Sequence, residues 1–181
     1  MRERILDVAL ELFNAQGYDA TSLREIAERL GVTKAALYYH FKSKGDILLE
    51  LHLRLHDLGG DLLAELDALP DDQVVVAWPG LVDRFIDSVM ANRELFLLHQ
   101  RNRRAFEQIA DDPRHHQANE DVEERFRRLL GSEAIPLAAR VRMVCSVGAV
   151  FIGLMDPDAL FGDEPKERIA ELVRETVHEL F

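Results

Sequence analysis

Apolar residues recur along most of this chain at intervals of three and four positions, which is the period of an amphipathic helix. In the first such stretch Ile5, Ala9 and Phe13 share one helix face, and Gly17 ends the stretch. Alternation of apolar and polar residues is nowhere sustained, and the valine cluster at positions 74–76 is too short to indicate a strand. The pattern therefore predicts an all-α protein.

Three more helices are predicted between residues 21 and 58. The second helix begins at Ser22, which forms a capping box with Glu25, and ends at Gly31, because glycine favours the left-handed conformation at a helix C-terminus. Thr33 begins the third helix and Ser43 the fourth, since their hydroxyls satisfy free N–H groups of a first turn. The apolar face of the second helix comprises Leu23, Ile26, Ala27 and Leu30.

The fourth helix is predicted to run to about Leu58 and to end or bend at Gly59 and Gly60. Leucines cover most of its circumference, so we expect it to be buried between two bodies. This predicts an N-terminal domain of residues 1–46, a shared connecting helix of residues 47–58, and a C-terminal domain of residues 47–181.

Prolines, glycines and paired acids divide the remaining chain into further helices. Breaks are predicted at residues 69–72 and 156–158. The predicted helices span residues 78–91 with Pro79 in the first turn, 94–109, 113–130, 136–155 and 165–181.

The distribution of charge separates the two ends of the chain. With 22 basic and 33 acidic side chains, the formal net charge is −11, which argues against a protein that binds nucleic acid over its whole surface. Residues 21–44 are an exception, because they carry five basic and two acidic residues. A basic segment on an acidic chain is typical of a DNA-reading head joined to a second domain.

The second and third helices are spaced as in a helix-turn-helix. Ala27 is small where the helices would cross, Gly31 permits the turn, and Val32 and Leu37 complete a small core. Other three-helix packings use the same residue types, so it is the basic segment that favours DNA binding. Such a motif places its second helix in the major groove, where hydroxyl, ammonium and aromatic groups meet phosphates and base edges.

The segment TSLREIAERLGVTKAALYYHFKSKGDILLEL resembles the DNA-binding head of the TetR (tetracycline repressor-like) family of bacterial transcriptional regulators. The resemblance covers roughly residues 2–50 and is most specific over residues 31–44. It implies an N-terminal three-helix helix-turn-helix domain and a C-terminal helical domain for ligand binding and dimerisation. It also implies a repressor that a small molecule releases from its operator.

The resemblance assigns DNA contacts by position. Thr21 falls at the start of the second helix, Lys44 at the start of the fourth, and Lys42 lies in the same basic segment. Ala35 and Ala36 stand where many members carry Gly-Thr. The recognition helix would present Thr33, Lys34, Ala35, Tyr38, Tyr39 and His40 to double-stranded operator DNA.

The middle helices carry aromatic residues that would line a pocket for a small, largely apolar effector. His99 and Arg103 are the candidate polar groups of that pocket, and its candidate aromatic residues are Trp78, Phe85, Phe96 and Phe126. We expect a homodimer through the last two long helices, because small residues at 136–155 permit close approach.

Other functional classes find little support. His52 and His56 have the spacing of metal ligands on a helix, but no third ligand is evident, so we interpret them as ordinary helix histidines. His115 and His116 are expected to be solvated, and Cys145 to be a buried thiol. No nucleophile elbow or phosphate loop indicates an enzyme, and no cofactor or metal is expected.

The apolar run at residues 143–155 is shorter than the roughly 20 residues of a membrane span. We therefore expect a cytoplasmic protein that does not enter the membrane. A DNA-binding architectural or protein-regulated module without a small-molecule site remains the alternative to a ligand-released repressor.

Overall fold

The computed structural model describes residues 1–107, 109–155 and 160–181, without the side chains of Arg103 and Met155. No strand occurs in these ranges, so the prediction of an all-α fold is confirmed. The predicted break at residues 156–158 lies outside the described residues. The helices are α1 (Arg2–Gln16), α2 (Leu23–Leu30), α3 (Lys34–His40), α4 (Lys44–Asp67), α5 (Asp71–Ala91), α6 (Arg93–Arg101), α7 (Arg103–Glu107), α8 (Pro113–Gly131), α9 (Leu137–Met155) and α10 (Lys166–Leu180).

The chain forms two compact units. The first unit comprises Met1–Asp57 and Glu94–Asn119, and the second comprises Leu58–Arg93 and Glu120–Phe181. Helices α4 and α8 therefore each contribute residues to both units. The predicted division of roles between residues 1–46 and 47–181, with 47–58 shared, stays a prediction.

The core of the first unit forms where α1 packs on α2 and α2 on α3. Phe13, Ile26 and Leu37 are fully buried, so each of the three helices gives this core a large apolar side chain. Ile47 and Leu51 extend it along the first half of α4. This burial fixes the positions of the short helices, which are too short to be stable alone.

Helix α4 continues through Gly59 and Gly60 to Asp67, so the prediction that it ends near Leu58 was wrong. Contacts with α8 stabilise its second half. Arg125 donates a hydrogen bond of 3.1 Å to the carbonyl oxygen of Gly60 and lies 3.5 Å from the carboxylate of Asp67. Tertiary packing here outweighs the low helix propensity of two glycines.

Helix α5 begins at Asp71 and contains Pro79 in its interior, so the predicted start at Trp78 was wrong. Val74 and Trp78 before the proline share a buried face with Val82 after it. The continuous apolar face compensates for the hydrogen bond that proline cannot donate.

The predicted helix at residues 94–109 is divided into α6 and α7 at Asn102, which is a further correction. Asn102 is buried, and its Nδ2 donates to the carbonyl oxygen of Leu98 at 3.1 Å. Its Oδ1 accepts a hydrogen bond of 3.0 Å from the backbone N–H of Tyr18. A long-range contact that local periodicity does not reveal accounts for the break.

In the second unit, α5, α9 and α10 pack on one another. A Cβ atom at Gly153 of α9 would lie 3.1 Å from Val173 of α10, so these helices approach closely. The opposite side of α9 is exposed although it is apolar. We refer to this side as the α9 stripe, and its residues are Leu137, Val141, Val144, Phe151 and Ile152.

By length and composition alone, Leu137–Leu154 could cross a membrane, with a mean hydropathy of 1.7 over its 18 residues. The core helix of a soluble protein passes the same test. Cys145 is exposed on α9, so the prediction of a buried thiol was wrong. It directly follows Val144 of the α9 stripe, so it lies at the edge of the exposed side of the helix.

Candidate nucleic-acid interface

Side-chain caps fix the start of both helices of the motif. Ser22 Oγ accepts a hydrogen bond of 3.2 Å from the N–H of Glu25, whose carboxylate accepts in return from the N–H of Ser22. Thr33 Oγ1 accepts from the N–H of Ala36 at 3.2 Å. The predicted capping box and the predicted cap at Thr33 are both confirmed.

The turn between the helices depends on Gly31. Its φ of 67° and ψ of 30° are left-handed, a conformation that glycine adopts without strain. The N–H of Val32 then donates to the carbonyl oxygen of Ala27 at 3.0 Å, which satisfies the end of α2. This turn sets the direction in which α3 leaves α2.

One side of α3 is buried and the other faces solvent. Leu37 is fully buried, whereas Tyr39 is 87% and Tyr38 is 42% exposed. The ammonium group of Lys34 lies 5.4 Å from the ring centroid of Tyr38. Thr33, Lys34 and Ala35 are exposed as well, and His40 is half-buried with its ring 5.3 Å from that of Tyr39.

Lys44 has a different environment from the residues of α3. Its Nζ donates to the carbonyl oxygens of Tyr18 and Thr21 at 2.5 and 2.9 Å and lies 4.1 Å from the ring centroid of Tyr18. Burial lowers the pKa of Lys44, and the negative charge of Asp19 partly opposes this effect. The structure gives Lys44 an internal role in holding the loop before α2, and its predicted phosphate contact stays a prediction.

Thr21 belongs to the same loop. It is buried, and its hydroxyl donates to the carbonyl oxygen of Gly17 at 2.9 Å and accepts from Gln16 at 3.2 Å. Both hydrogen-bonding directions of the hydroxyl are therefore used inside the unit. Its predicted contact with DNA also stays a prediction.

Two of the five basic side chains in residues 21–44 are held in ion pairs within the chain. Arg24 pairs with Glu28 at 2.7 Å, and Arg29 pairs with Glu11 at 3.1 Å. Lys34 and Lys42 are exposed and form no ion pair within the described part of the chain. These two ammonium groups are the best placed of the five basic side chains for phosphate oxygens.

The predicted effector residues are distributed over both units. Trp78, Phe85 and Phe126 belong to the second unit, whereas Phe96 and His99 belong to the first. The side chain of Arg103 lies outside the described residues. The pocket assignment of these six residues stays a prediction.

In the second unit, sequence reasoning missed the partner of the buried Trp78. Its Nε1–H donates a hydrogen bond of 2.8 Å to Ser146 Oγ, which itself donates to the carbonyl oxygen of Met143. In the same unit the ring of Phe85 lies 5.6 Å from that of Phe151. A buried indole N–H requires an acceptor, but the sequence alone does not show which residue supplies it.

Sequence reasoning also missed a histidine cluster in the first unit, formed by His52, His56, His99 and His115. His52 is buried and His115 is half-buried, so the expectation that His115 is solvated was wrong. The i and i+4 spacing of His52 and His56 was visible, but the helices that bring the other two rings were not. Among the described residues, no three ligand side chains are placed to hold a metal ion.

These features define an all-helical protein with an N-terminal helix-turn-helix. A family model described as "Bacterial regulatory proteins, tetR family" matches residues 5–51. This match confirms the resemblance seen in the sequence over the part of the chain that carries the helix-turn-helix.

Two curated relatives are similar over the N-terminal part. The HTH-type transcriptional regulator AcrR of Shigella flexneri is 40% identical over 98 residues, which are 54% of this chain and 46% of the relative. The biofilm operon icaADBC HTH-type negative transcriptional regulator IcaR of Staphylococcus aureus (strain Newman) is 49% identical over 47 residues, 26% of this chain and 25% of the relative. The matches thus span less than half of either relative.

The likeness in fold extends over the whole chain. The crystal structure of a transcriptional regulator (TerR/AcrR family) from Aquifex aeolicus VF5 superposes with a TM-score of 0.69 and 24% sequence identity. The superposition covers 99% of this chain and 99% of that one. The fold class with an N-terminal helix-turn-helix and further C-terminal helices is therefore confirmed.

Proposed function

We propose that this chain is a DNA-binding transcriptional regulator that reads operator DNA with α3. The observation that carries the proposal is the solvent-facing side of α3, where two tyrosines and Lys34 project from a helix whose other side is buried. Hydroxyl groups and aromatic rings contact base edges, and an ammonium group contacts phosphate. A protein that binds chromosomal DNA in this way acts in the cytoplasm of a bacterium.

The proposed assembly is a homodimer that pairs the α9 stripe of two copies. Leu137, Val141 and Val144 follow one another at intervals of four and three residues, so they form one apolar face. An exposed apolar face of this kind is typical of a protein interface. The exposed Arg142 on the same helix and the burial of the side of α9 opposite the stripe favour a protein partner over a lipid.

We further propose that the regulator represses transcription and that a small, largely apolar effector releases it. The name of IcaR as a negative regulator supports repression by analogy. Release requires that the effector bind the DNA-free form more tightly, and operator DNA must then weaken effector binding by the same factor. The architectural or protein-regulated alternative requires no such coupling.

The function is tested by capturing genomic DNA fragments with the purified protein and sequencing them. The proposal predicts a few enriched sites with two-fold related half-sites, because a symmetric dimer reads a symmetric operator. Enrichment without any common sequence would contradict operator reading. For release, calorimetry of candidate apolar ligands with and without a captured fragment should give unequal affinities.

A further inference from the structure

The histidine cluster joins three helices of the first unit. His52 and His56 lie on α4, His99 on α6 and His115 in the first turn of α8. The ring centroid of His52 is 4.4 Å from that of His56, 4.5 Å from that of His115 and 5.7 Å from that of His99. Phe106 of α7 covers the cluster with its ring 5.2 Å from His52.

The ring of His52 is neutral in this arrangement. Its exposed fraction is 2%, and neither of its ring nitrogens has a hydrogen-bond partner among the described residues. Burial, together with the neighbouring rings of His56, His115 and His99, lowers the pKa of His52 to about 3. Burial is also the main cause that lowers the pKa values of His56 and His115.

Acidic groups near the cluster oppose burial only weakly. From α4, Asp57 acts on His56, and from the turn before α8, Asp112 acts on His115. The carboxylate of Asp112 is shared, because it accepts two hydrogen bonds from the guanidinium of Arg114 at 3.1 and 3.0 Å.

Among the described residues, the other groups that contact the cluster do not supply negative charge. Helix α8 adds the neutral amide of Asn119, which lies 3.3 Å from Nδ1 of His115 and raises the pKa of His56 through a hydrogen bond. It also adds the ring of His116, which lowers the pKa of His115. Helix α6 contributes the ring of His99, and α7 contributes the apolar ring of Phe106. The positive charge of a proton that enters the closed cluster is therefore poorly balanced by negative charge nearby.

We propose that the histidine cluster is a proton-operated switch, in which acid separates α6, α7 and the start of α8 from α4. A buried imidazole that gains a proton loses its solvation and repels neighbouring rings that are also protonated. Opening to water relieves both effects, so protons bind the opened form preferentially. Each additional proton bound by the opened form raises its population up to about tenfold per pH unit.

A hydrogen bond connects this opening to the reading head. Asn102 lies between α6 and α7, and its Oδ1 accepts from the N–H of Tyr18 in the loop before α2. The carbonyl oxygen of the same Tyr18 is bound by Lys44 at the start of α4. Separation of α6 and α7 from α4 withdraws Asn102 from this loop, so the loop that precedes α2 loses one of its supports.

The consequence for DNA rests on the proposed function. Acid should weaken DNA binding, because the opened first unit no longer holds α2 and α3 in place. Protonation of a group at the DNA interface would instead add positive charge beside phosphate and strengthen binding. The direction of the pH effect therefore distinguishes opening of the first unit from protonation at the interface.

The first experiment follows the ring carbon–proton signals of the full-length wild-type protein by NMR between pH 7.5 and 5, with a chelator present. The switch predicts that the ring signals of the cluster change together, at a pH below the ordinary histidine pKa of about 6.5. The amide signals of α6 and α7 should change over the same pH range. Independent titration of each ring near its ordinary pKa, with unchanged amide signals, would overturn the proposal. This experiment does not depend on DNA binding.

The second experiment measures affinity for a captured DNA fragment at pH 7.5 and 5.5. Wild type should lose at least tenfold in affinity on acidification, whereas His52→Leu should lose less than threefold. The matched control His178→Gln removes a histidine of the second unit and should behave as wild type. Equal losses in wild type and His52→Leu, or no loss in wild type, would overturn the coupling to DNA.

Three further cases each lead to a definite conclusion. If His52→Leu fails to fold, His115→Gln at the half-buried edge of the cluster takes its place, with the same expectation. If wild type binds no DNA at either pH, the proposed function fails, and the NMR titration alone decides the switch. If Zn²⁺ without chelator protects wild type and not His52→Leu against acid opening, the cluster is a metal site and the proton switch is wrong.

Discussion

Two lysines of the basic segment have different tasks because their surroundings differ. Lys34 is exposed on α3, whereas the ammonium group of Lys44 is bound by backbone carbonyl oxygens of the loop before α2. Charge alone does not distinguish them. Removal of Lys44 leaves carbonyl groups without their donor, whereas removal of Lys34 takes away only its contact with the exposed ring of Tyr38.

Lys44→Ala should therefore lower the free energy of unfolding by about 1.5–3 kcal/mol, the usual value for hydrogen bonds to a charged group. Lys34→Ala should leave stability nearly unchanged and reduce the salt dependence of DNA binding by about one phosphate contact. Urea denaturation and binding titrations at several salt concentrations measure the two effects. A full loss of stability from Lys34→Ala with none from Lys44→Ala would reverse these assignments.

The pH dependence of stability should reflect His52. The unfolded chain takes up a proton on this ring below about pH 6.5, but the folded chain keeps it neutral down to about pH 3. Stability is therefore greatest above pH 6.5 and falls on acidification by up to about 1.4 kcal/mol per pH unit from this ring. Denaturation of His52→Leu at pH 7 and 5 should show a smaller fall than wild type.

At the scale of helices, the turn between α2 and α3 determines where the reading helix points. Gly31 adopts a φ of 67°, while Gly59 lies inside α4, where an added Cβ atom would meet no other atom within 4 Å. The same substitution should thus have opposite effects at the two positions. A Cβ atom strains the first backbone and removes chain entropy from the unfolded state at the second.

Gly31→Ala should destabilise the protein by about 1 kcal/mol, because alanine disfavours the left-handed conformation. Gly59→Ala should stabilise it by about 0.5–1 kcal/mol, as expected for glycine replaced in a helix. Thermal denaturation of the two variants compares them directly. A stabilising Gly31→Ala would show that the turn does not require left-handed backbone.

The helix-turn-helix could be predicted from sequence because its determinants are local. Ser22, Gly31 and Thr33 act within four residues of their own positions. The division of α6 and α7 depends on Asn102 and Tyr18, which are 84 residues apart. Helix α4 likewise continues past its two glycines, where Arg125 donates a hydrogen bond to the carbonyl oxygen of Gly60. Pairings of this range leave no periodic pattern in the sequence.

The same distinction between local and long-range determinants applies to the DNA interface and to the histidine cluster. The exposed side of α3 was visible, since it consists of neighbours on one short helix. The internal roles of Thr21 and Lys44 were not, because they depend on how a loop folds back. The histidine cluster required three helices from different parts of the chain, and only the pair on α4 could be noticed.

At the scale of the whole molecule, the α9 stripe is the feature that most requires a partner. Val144→Asp with Ile152→Asp places two charges on this stripe without touching Val173, which packs on Gly153. A buried unpaired carboxylate costs several kcal/mol, so the variant should be monomeric. Val76→Asp is the matched control, since Val76 is exposed on α5. Sedimentation of the double variant as an intact dimer would contradict the proposed interface.

The central claim is that α3 reads operator DNA, and fluorescence anisotropy with a captured fragment and its scrambled duplex tests it most directly. Wild type should prefer the captured fragment by about 1,000-fold or more. Tyr38→Ala should reduce that preference about tenfold or more while affinity for the scrambled duplex stays nearly constant. Equal affinity of wild type for both duplexes, or an unchanged preference in Tyr38→Ala, would contradict the account.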